Sequence, residues 1–368
     1  MKVAYDHQIF SMQRHGGISR YFAELIANLS KKSNMQLTVV APVHINEYLR
    51  RKTIAGSVRG RYLPCEFRGK ARASRLLNDA LLPMAWRSQC FDIVHETYYS
   101  STVRGRSRVR LVTIYDMIHE LYPEDFADAV EVSRAKCDAV RRADHVICIS
   151  ETTRRDAEKI LGLRPEESSV IYLGCSLDND NHDQLPNSAI SRCVLYVGQR
   201  SGYKNFEVVL KAFAASKLPG SGVDLVAFGG LRFTAEEQSA IRRLRLEERV
   251  RRITGNDALL RAYYKGALAL VYPSRYEGFG IPPLEAMIAG CPVICSTAPS
   301  IREIVGDAAA YFPPEDESQL CSLLERILED ADFRDQLRAL GMNRVGQFSW
   351  TKCAAETSVL YERLLNCK

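Results

Sequence analysis

Two carboxylates, Glu277 and Glu285, stand eight positions apart in the segment Arg275-Tyr-Glu-Gly-Phe-Gly-Ile-Pro-Pro-Leu-Glu-Ala286. Between them lie a small-residue turn, Gly278-Phe279-Gly280, and the pair Pro282-Pro283. An apolar run precedes the segment and Leu284–Gly290 has helical character, so it reads as strand, glycine turn, helix. Pro is tolerated in a first helical turn, where its missing N–H had no intrahelical partner. Backbone N–H groups at such a helix start attract anions. One acid ahead of an anion site and one a helical turn inside it suit a ligand with hydroxyls on both sides of a phosphate, which is the pattern of a nucleotide-sugar. A second segment, Gly198-Gln-Arg-Ser-Gly-Tyr-Lys-Asn205, places Arg200 and Lys204 on or after another strand-to-helix turn. Two cations there would neutralise a leaving diphosphate; solvated surface cations are the plain alternative.

Two weaker signals stand in the first half. Gly16-Gly17 follow the first strand and open a helix with Ile18-Ser-Arg20. Glycines at that turn allow close backbone approach to a phosphate, although the spacing is not that of a dinucleotide fingerprint and a tight turn without a ligand would look the same. Tyr115-Asp-Met-Ile-His119 closes a strand. Asp116 or His119 could bond a sugar hydroxyl or handle an acceptor proton. A helix cap and a structural histidine are the competing readings.

These residues need a frame, and the chain supplies alternating short apolar strands and amphipathic helices. Strands are expected at Lys2–Tyr5, Gln36–Ala41, Phe91–His95, Val109–Ile114, His145–Ile149 and Ser169–Tyr172. Ser150 caps a helix after the fifth. Asn, Asp, Pro and Ser cluster in residues 176–191 and mark a linker. A second series follows at Cys193–Val197, 223–228, Val250–Ile253, Ala267–Tyr272, Val293–Ser296 and Ala309–Phe312. This pattern fits two doubly wound α/β domains, 1–175 and 192–348, with a closing helix in 349–368. A chain of 368 residues is also long for one core.

Composition narrows the class. Hydrophobic residues make up 46% and charged residues 26%, as in a soluble globular protein. No apolar run reaches the roughly 18–20 residues of a membrane-spanning helix, and the N-terminus lacks a signal-peptide core. The eleven cysteines are scattered without metal spacing, which points to free thiols in a reducing cytoplasm. The net charge of +6 is concentrated around Arg50, Arg51, Lys52, Arg59, Arg61, Arg68, Lys70, Arg72 and Arg75, opposed there by Glu66 alone. The stretch reads as a solvated loop and helix face, or as a contact for a membrane surface or a lipid-linked diphosphate. Sparse aromatics argue against single-stranded nucleic acid.

Four places together resemble the retaining glycosyltransferases of family 4, with the GT-B fold of two Rossmann-like domains facing across a cleft. They are Gly16-Gly17-x-x-Arg20, Tyr115-Asp116, Gly198-x-Arg200-x-x-x-Lys204-Asn205, and Glu277-Gly-Phe-Gly-Ile-Pro-Pro-Leu-Glu285. The resemblance implies that Glu277 contacts donor-sugar hydroxyls and Glu285 the ribose. It implies that backbone N–H groups of Phe279, Gly280 and Ile281 meet the sugar and diphosphate. Arg200 and Lys204 would neutralise the diphosphate, with Gly198 at their turn and Gly16-Gly17 approaching it from the other domain. The last helix in this fold crosses back to the first domain. Such enzymes are usually metal-independent and need no cofactor beyond the nucleotide-sugar. The spelling Tyr-Lys-Asn is that of a bacterial polysaccharide-assembly branch. It points to GDP-mannose as donor and to a glycan or lipid-diphosphate-linked glycan as acceptor, in O-antigen synthesis at the inner face of the plasma membrane. Arg50, Arg51, Arg68, Lys70 and Arg72 are then the expected acceptor or membrane contacts. Two departures stand out: Gln199 occupies the position where relatives carry Arg, and Tyr115 the position where they carry His. A GT-B epimerase or phosphorylase and a non-enzymatic basic binding protein are the other readings, and neither uses the Glu277/Glu285 pair.

Overall fold

The computed structural model describes residues 1–64, 70–87, 90–176 and 192–367. The linker around Asp178 and the side chain of Arg68 lie outside them, as do the side chains of Lys70 and Arg72. The described chain forms two compact units, residues Met1–Gly174 with Ser349–Lys368, and Cys175–Phe348.

The first unit holds seven strands: β1 (Lys2–Tyr5), β2 (Gln36–His44), β3 (Val58–Tyr62), β4 (Cys90–Glu96), β5 (Arg106–Ile114), β6 (His145–Cys148) and β7 (Ser168–Val170). Every pairing is parallel, in the order β3-β2-β1-β4-β5-β6-β7. The second unit holds β8 (Cys193–Val197), β9 (Asp224–Phe228), β10 (Val250–Ile253), β11 (Ala269–Tyr272), β12 (Val293–Ser296) and β13 (Ala310–Phe312). These are also all parallel, in the order β10-β9-β8-β11-β12-β13. Both sheets are doubly wound. Strand order reverses between β1 and β4 and between β8 and β11, and in such sheets ligands gather outside the strand ends at that reversal. The strands are short and apolar because both faces are covered by helices.

The basic stretch departs from the loop-and-helix expectation. It contains the edge strand β3, whose Arg59, Gly60 and Arg61 face solvent. An edge strand carrying arginines is protected against pairing with other chains, and its charges mask the alternation that betrays a strand. The helix Lys70–Trp86 follows, longer than the helix face read at the end of that stretch.

The closing helix Trp350–Asn366 belongs to the first unit and packs on the helix Gly17–Leu29. At the point of return, a Cβ on Gly174 would lie 2.2 Å from the Trp350 backbone nitrogen, so only glycine allows the two chain segments to pass. Inside, Tyr361 Oη lies 2.6 Å from His95 Nδ1 and 3.3 Å from Tyr5 Oη, and His95 Nε2 lies 2.8 Å from Thr113 Oγ1. His95 is fully buried, and burial lowers its pKa to about 3.

Candidate functional site

In the second unit, the loops after β8 and β11 meet because those strands are neighbours, with Ala269 opposite Val194. Two links hold the loops together. Arg275 N donates to Tyr203 O at 2.8 Å. Asn205, buried and in a left-handed conformation (φ 56°), donates through Nδ2 to Pro273 O at 3.2 Å and Pro314 O at 2.7 Å. Within the loop after β8 itself, Tyr196 Oη donates to Gln199 O. On this frame Lys204 Nζ reaches Glu277 Oε1 at 2.6 Å, with side-chain exposures of 17% and 11%. The ammonium also lies 5.8 Å from the Tyr272 ring. The Tyr272 phenol is pushed up by burial first and by Glu277 second. Ser300 Oγ donates to the Glu277 carbonyl and fixes that loop from the far side.

Gly280 follows at φ 109°, a conformation strained for residues with a Cβ, and caps the helix Ile281–Ile288. The first-turn amides of a helix have no intrahelical acceptor. Pro282 and Pro283 remove two of them without loss, leaving an electropositive end beside Glu277. Glu285, one turn in, is buried and accepts from Tyr264 Oη at 3.3 Å. Phe279 packs edge-on against Phe348, 5.8 Å between ring centres. The segment 275–285 thus presents an acid, a glycine-lined helix start and a second acid, with one lysine in contact.

Arg200 departs from the expected pairing with Lys204. It is buried and turned to the end of β9, where its Nε donates to Glu237 Oε1 at 2.8 Å and its Nη2 to Leu231 O at 2.7 Å. Its guanidinium lies 4.7 Å from the Phe233 ring centre. A planar fork with five donors suits such a bidentate, stacked pocket, so Glu237 captures it while Lys204 goes to Glu277. Glu237 also completes a capping box with Thr234, a Thr-x-x-Glu spacing visible in the sequence; its hold on Arg200 was not.

In the first unit, Gly16 is extended and Gly17 helical, so neither needs glycine for its backbone angles. A Cβ on Gly17 would meet nothing within 4 Å, which leaves open space over that helix start. Gln13 Oε1 caps Ser19 N at 3.2 Å. Asp116 follows β5 and accepts from Ile118 N at 3.1 Å, two residues on, while Met117 is the N-cap of the helix Ile118–Leu121; the Asp116 side chain remains 27% exposed. His119 stacks on Phe126 at 4.4 Å between ring centres. Lys136, absent from the expected site residues, sits fully buried with Nζ 2.7 Å from Glu120 Oε2 and 2.9 Å from Asp116 O. Helical periodicity carried the hint, since Ala129, Lys136 and Ala139 form the buried stripe of the helix Ala129–Arg142.

Of the expected acceptor or membrane contacts, the two whose side chains are described stand in ion pairs. Arg50 pairs with Glu47 at 2.7 Å and lies over Tyr62, and Arg51 pairs with Glu24 at 2.7 Å and lies over Tyr48. Among the described residues no group of three His, Cys, Asp or Glu could hold a metal ion, and no helix is long and apolar enough to cross a membrane.

Comparison with known proteins follows the same division. Residues 15–179 match the model of Glycosyltransferase Family 4 and residues 178–344 that of Glycosyl transferases group 1. O-antigen chain mannosyltransferase B of Escherichia coli is 42% identical over 101 residues, which is 27% of this chain and 26% of that protein. O-antigen chain mannosyltransferase RfbU of Salmonella typhimurium is 30% identical over 224 residues, 60% of this chain and 61% of that protein. The chain thus spans less than two thirds of the length of these curated relatives. The structure of sucrose-phosphate synthase from Thermosynechococcus elongatus superposes with a TM-score of 0.73 at 20% identity, covering 100% of both chains. That similarity establishes the GT-B fold.

Proposed function

We propose, from the premise that the two halves of this chain belong to the Glycosyltransferase Family 4 and Glycosyl transferases group 1 families, that it is a retaining hexosyltransferase acting on a nucleotide-sugar. The observation that carries the reading is the contact of Lys204 with Glu277 at the glycine-capped start of the helix Ile281–Ile288. The diphosphate lies against Lys204 and the helix start, Glu277 reads sugar hydroxyls and Glu285 holds the ribose. Positive charge at the leaving group lowers the barrier to its departure, through an oxocarbenium-like transition state. The departing phosphate oxygen takes the acceptor proton on the same face, so no protein nucleophile is needed. In this reading Arg200 shapes the turn through Glu237, and reaches the diphosphate only by leaving that carboxylate.

The names of the curated relatives support mannose as the sugar and O-antigen as the product class, which favours GDP-mannose as donor and a lipid-linked glycan as acceptor. The test is a thermal-shift screen of GDP, UDP, ADP and their sugars, because a ligand that binds only the native state raises its melting temperature. A shift with GDP and GDP-mannose is expected. No shift with any nucleotide would overturn the reading.

A peripheral membrane contact fits this acceptor, and the helix Lys70–Trp86 supports it better than Arg50 and Arg51. That helix sends Ser74 and Asn78 inward, to Val43 and Ser11, while Leu76, Leu77, Leu81 and Met84 are exposed. Lys70, Arg72 and Arg75 stand in its first turns, and its one acid, Asp79, is paired with Arg104 at 3.0 Å. An apolar face with basic flanks suits an anionic bilayer surface and repels a second copy of itself. Co-flotation with phosphatidylglycerol vesicles, lost in Leu77→Glu/Met84→Glu, is the expected result; flotation unchanged by that variant excludes this face.

A further inference from the structure

We propose that Lys136 is a positioning residue, which sets the Asp116 carboxylate to accept a hydrogen bond from an acceptor hydroxyl. The proposal rests on the glycosyl transfer argued above. Lys136 is fully buried on the helix Ala129–Arg142. An ammonium taken out of water needs close, well-oriented partners, and every polar partner recorded for this one lies in the short segment 116–120. Nζ is 2.7 Å from Glu120 Oε2, 2.9 Å from Asp116 O and 4.0 Å from Asp116 Oδ1. It also lies 4.0 Å from Met117 Sδ and 5.3 Å from the Tyr99 ring centre. One side chain therefore grips both ends of the loop that leaves β5.

Asp116 emerges from this grip. Its main-chain oxygen is held by Lys136 and one carboxylate oxygen by Ile118 N, while the side chain stays 27% exposed. Glu120 is buried beneath it, 7% exposed, and its Oε1 has no hydrogen-bond partner among the described residues. The buried pair is thus incompletely satisfied, a poor arrangement if stability were its whole purpose, since an apolar pair of equal volume would leave no orphaned oxygen. What Lys136 adds over a methionine is a directional hold on the Asp116 carbonyl. Asp116 stands at the carboxyl end of β5, on the edge where ligands meet a doubly wound sheet. No bond or proton passes to Lys136.

The experiment uses the full chain as Lys136→Met, Glu120→Leu, the double variant Lys136→Met/Glu120→Leu, and Asp116→Asn. Deuterium exchange of the peptide covering 116–121 is read first, since it needs no turnover. Exchange is expected to rise in Lys136→Met and to stay raised in the double variant, even where apolar replacement of both charges restores folding. Transfer from GDP-mannose to a synthetic mannose-terminated diphosphate lipid is then compared with hydrolysis of GDP-mannose by water. Transfer in the double variant is expected to fall about 10- to 100-fold, the range for a misplaced catalytic contact, while the KM for GDP-mannose and the hydrolysis rate stay within about twofold. Asp116→Asn should add little further loss once Lys136 is gone, because the two act as one unit. Unchanged exchange, or transfer fully restored in the double variant, overturns the proposal. A wild-type protein that turns over no nucleotide-sugar overturns the function proposed above, and the exchange measurement still decides whether Lys136 holds the loop.

Discussion

Two lysine–glutamate pairs close the strand ends of the two units. Lys204 and Glu277 meet at 2.6 Å with side chains 17% and 11% exposed; Lys136 and Glu120 meet at 2.7 Å with side chains 0% and 7% exposed. Their chemistry is the same and their surroundings differ. The pair in the second unit lies on a glycine turn beside a helix start, where an arriving anion can compete for the ammonium. The pair in the first unit is sealed under a loop, where no ligand can exchange with it. An ion pair at the surface of a site can serve as a binding device, whereas a sealed one can only hold geometry.

Stability and activity should therefore respond in opposite order. The largest expected effect is on folding. Lys136→Met removes one partner of a buried pair and should lower the stability of the first unit by about 3–5 kcal/mol. Both tryptophans, Trp86 and Trp350, lie in that unit, so a denaturant titration followed by their fluorescence reports on it alone. Next, Lys204→Ala should leave that titration unchanged and lower kcat for transfer about 10²- to 10³-fold, the range for one electrostatic stabiliser. A Lys204→Ala protein with wild-type kcat/KM would break the comparison at its functional end. A Lys136→Met protein as stable as wild type would break it at the other.

Acid sensitivity should give a smaller effect and sharpen the contrast. His95 is buried among Tyr361, Tyr5 and Thr113, with a folded pKa of about 3 against an ordinary value near 6.5. A histidine depressed on folding contributes stability that is complete above the unfolded value and is lost as pH falls. From about pH 6.5 downward the first unit should lose up to about 1.4 kcal/mol per pH unit. Denaturant titrations at about pH 7 and about pH 5 should show a steeper slope in wild type than in His95→Gln, where His145 and His44, also lowered by burial, still contribute. The smallest expected effect is that of Gly280→Ala, which forces a Cβ into a left-handed conformation at a cost of about 1–2 kcal/mol. It should appear as a raised KM for the nucleotide-sugar with the fluorescence transition unmoved.

Much of this was legible in the chain. The short apolar runs fell within one to three residues of most strands, because a buried parallel strand must be apolar on both faces. The segment from Glu277 to Glu285 announced its turn and helix through Gly280, Pro282 and Pro283, whose backbone demands are local. Strand β3 was hidden because an edge strand needs only part of its length buried, and Arg59, Gly60 and Arg61 supply the exposed part. The helix Lys70–Trp86 was hard to read because Ser74 and Asn78 share its buried side with Leu82 and Trp86, while leucines stand on its exposed side.

By itself, then, the sequence determined the alternation of strands and helices, the division into two units, and the glycine turns that bring backbone amides to a strand end. These follow from periodicity and from the angles that Gly and Pro allow, which are properties of neighbouring residues. Only the tertiary structure decided which charges meet. Lys204 finds Glu277 because β8 and β11 are adjacent in the sheet. Arg200 finds Glu237 on the helix Ala235–Arg243 that follows β9, and Lys136, on a helix packed on β5, finds the Asp116 loop. A charge's partner depends on strand order and burial, since a buried ion must take whichever counter-ion the fold places within reach.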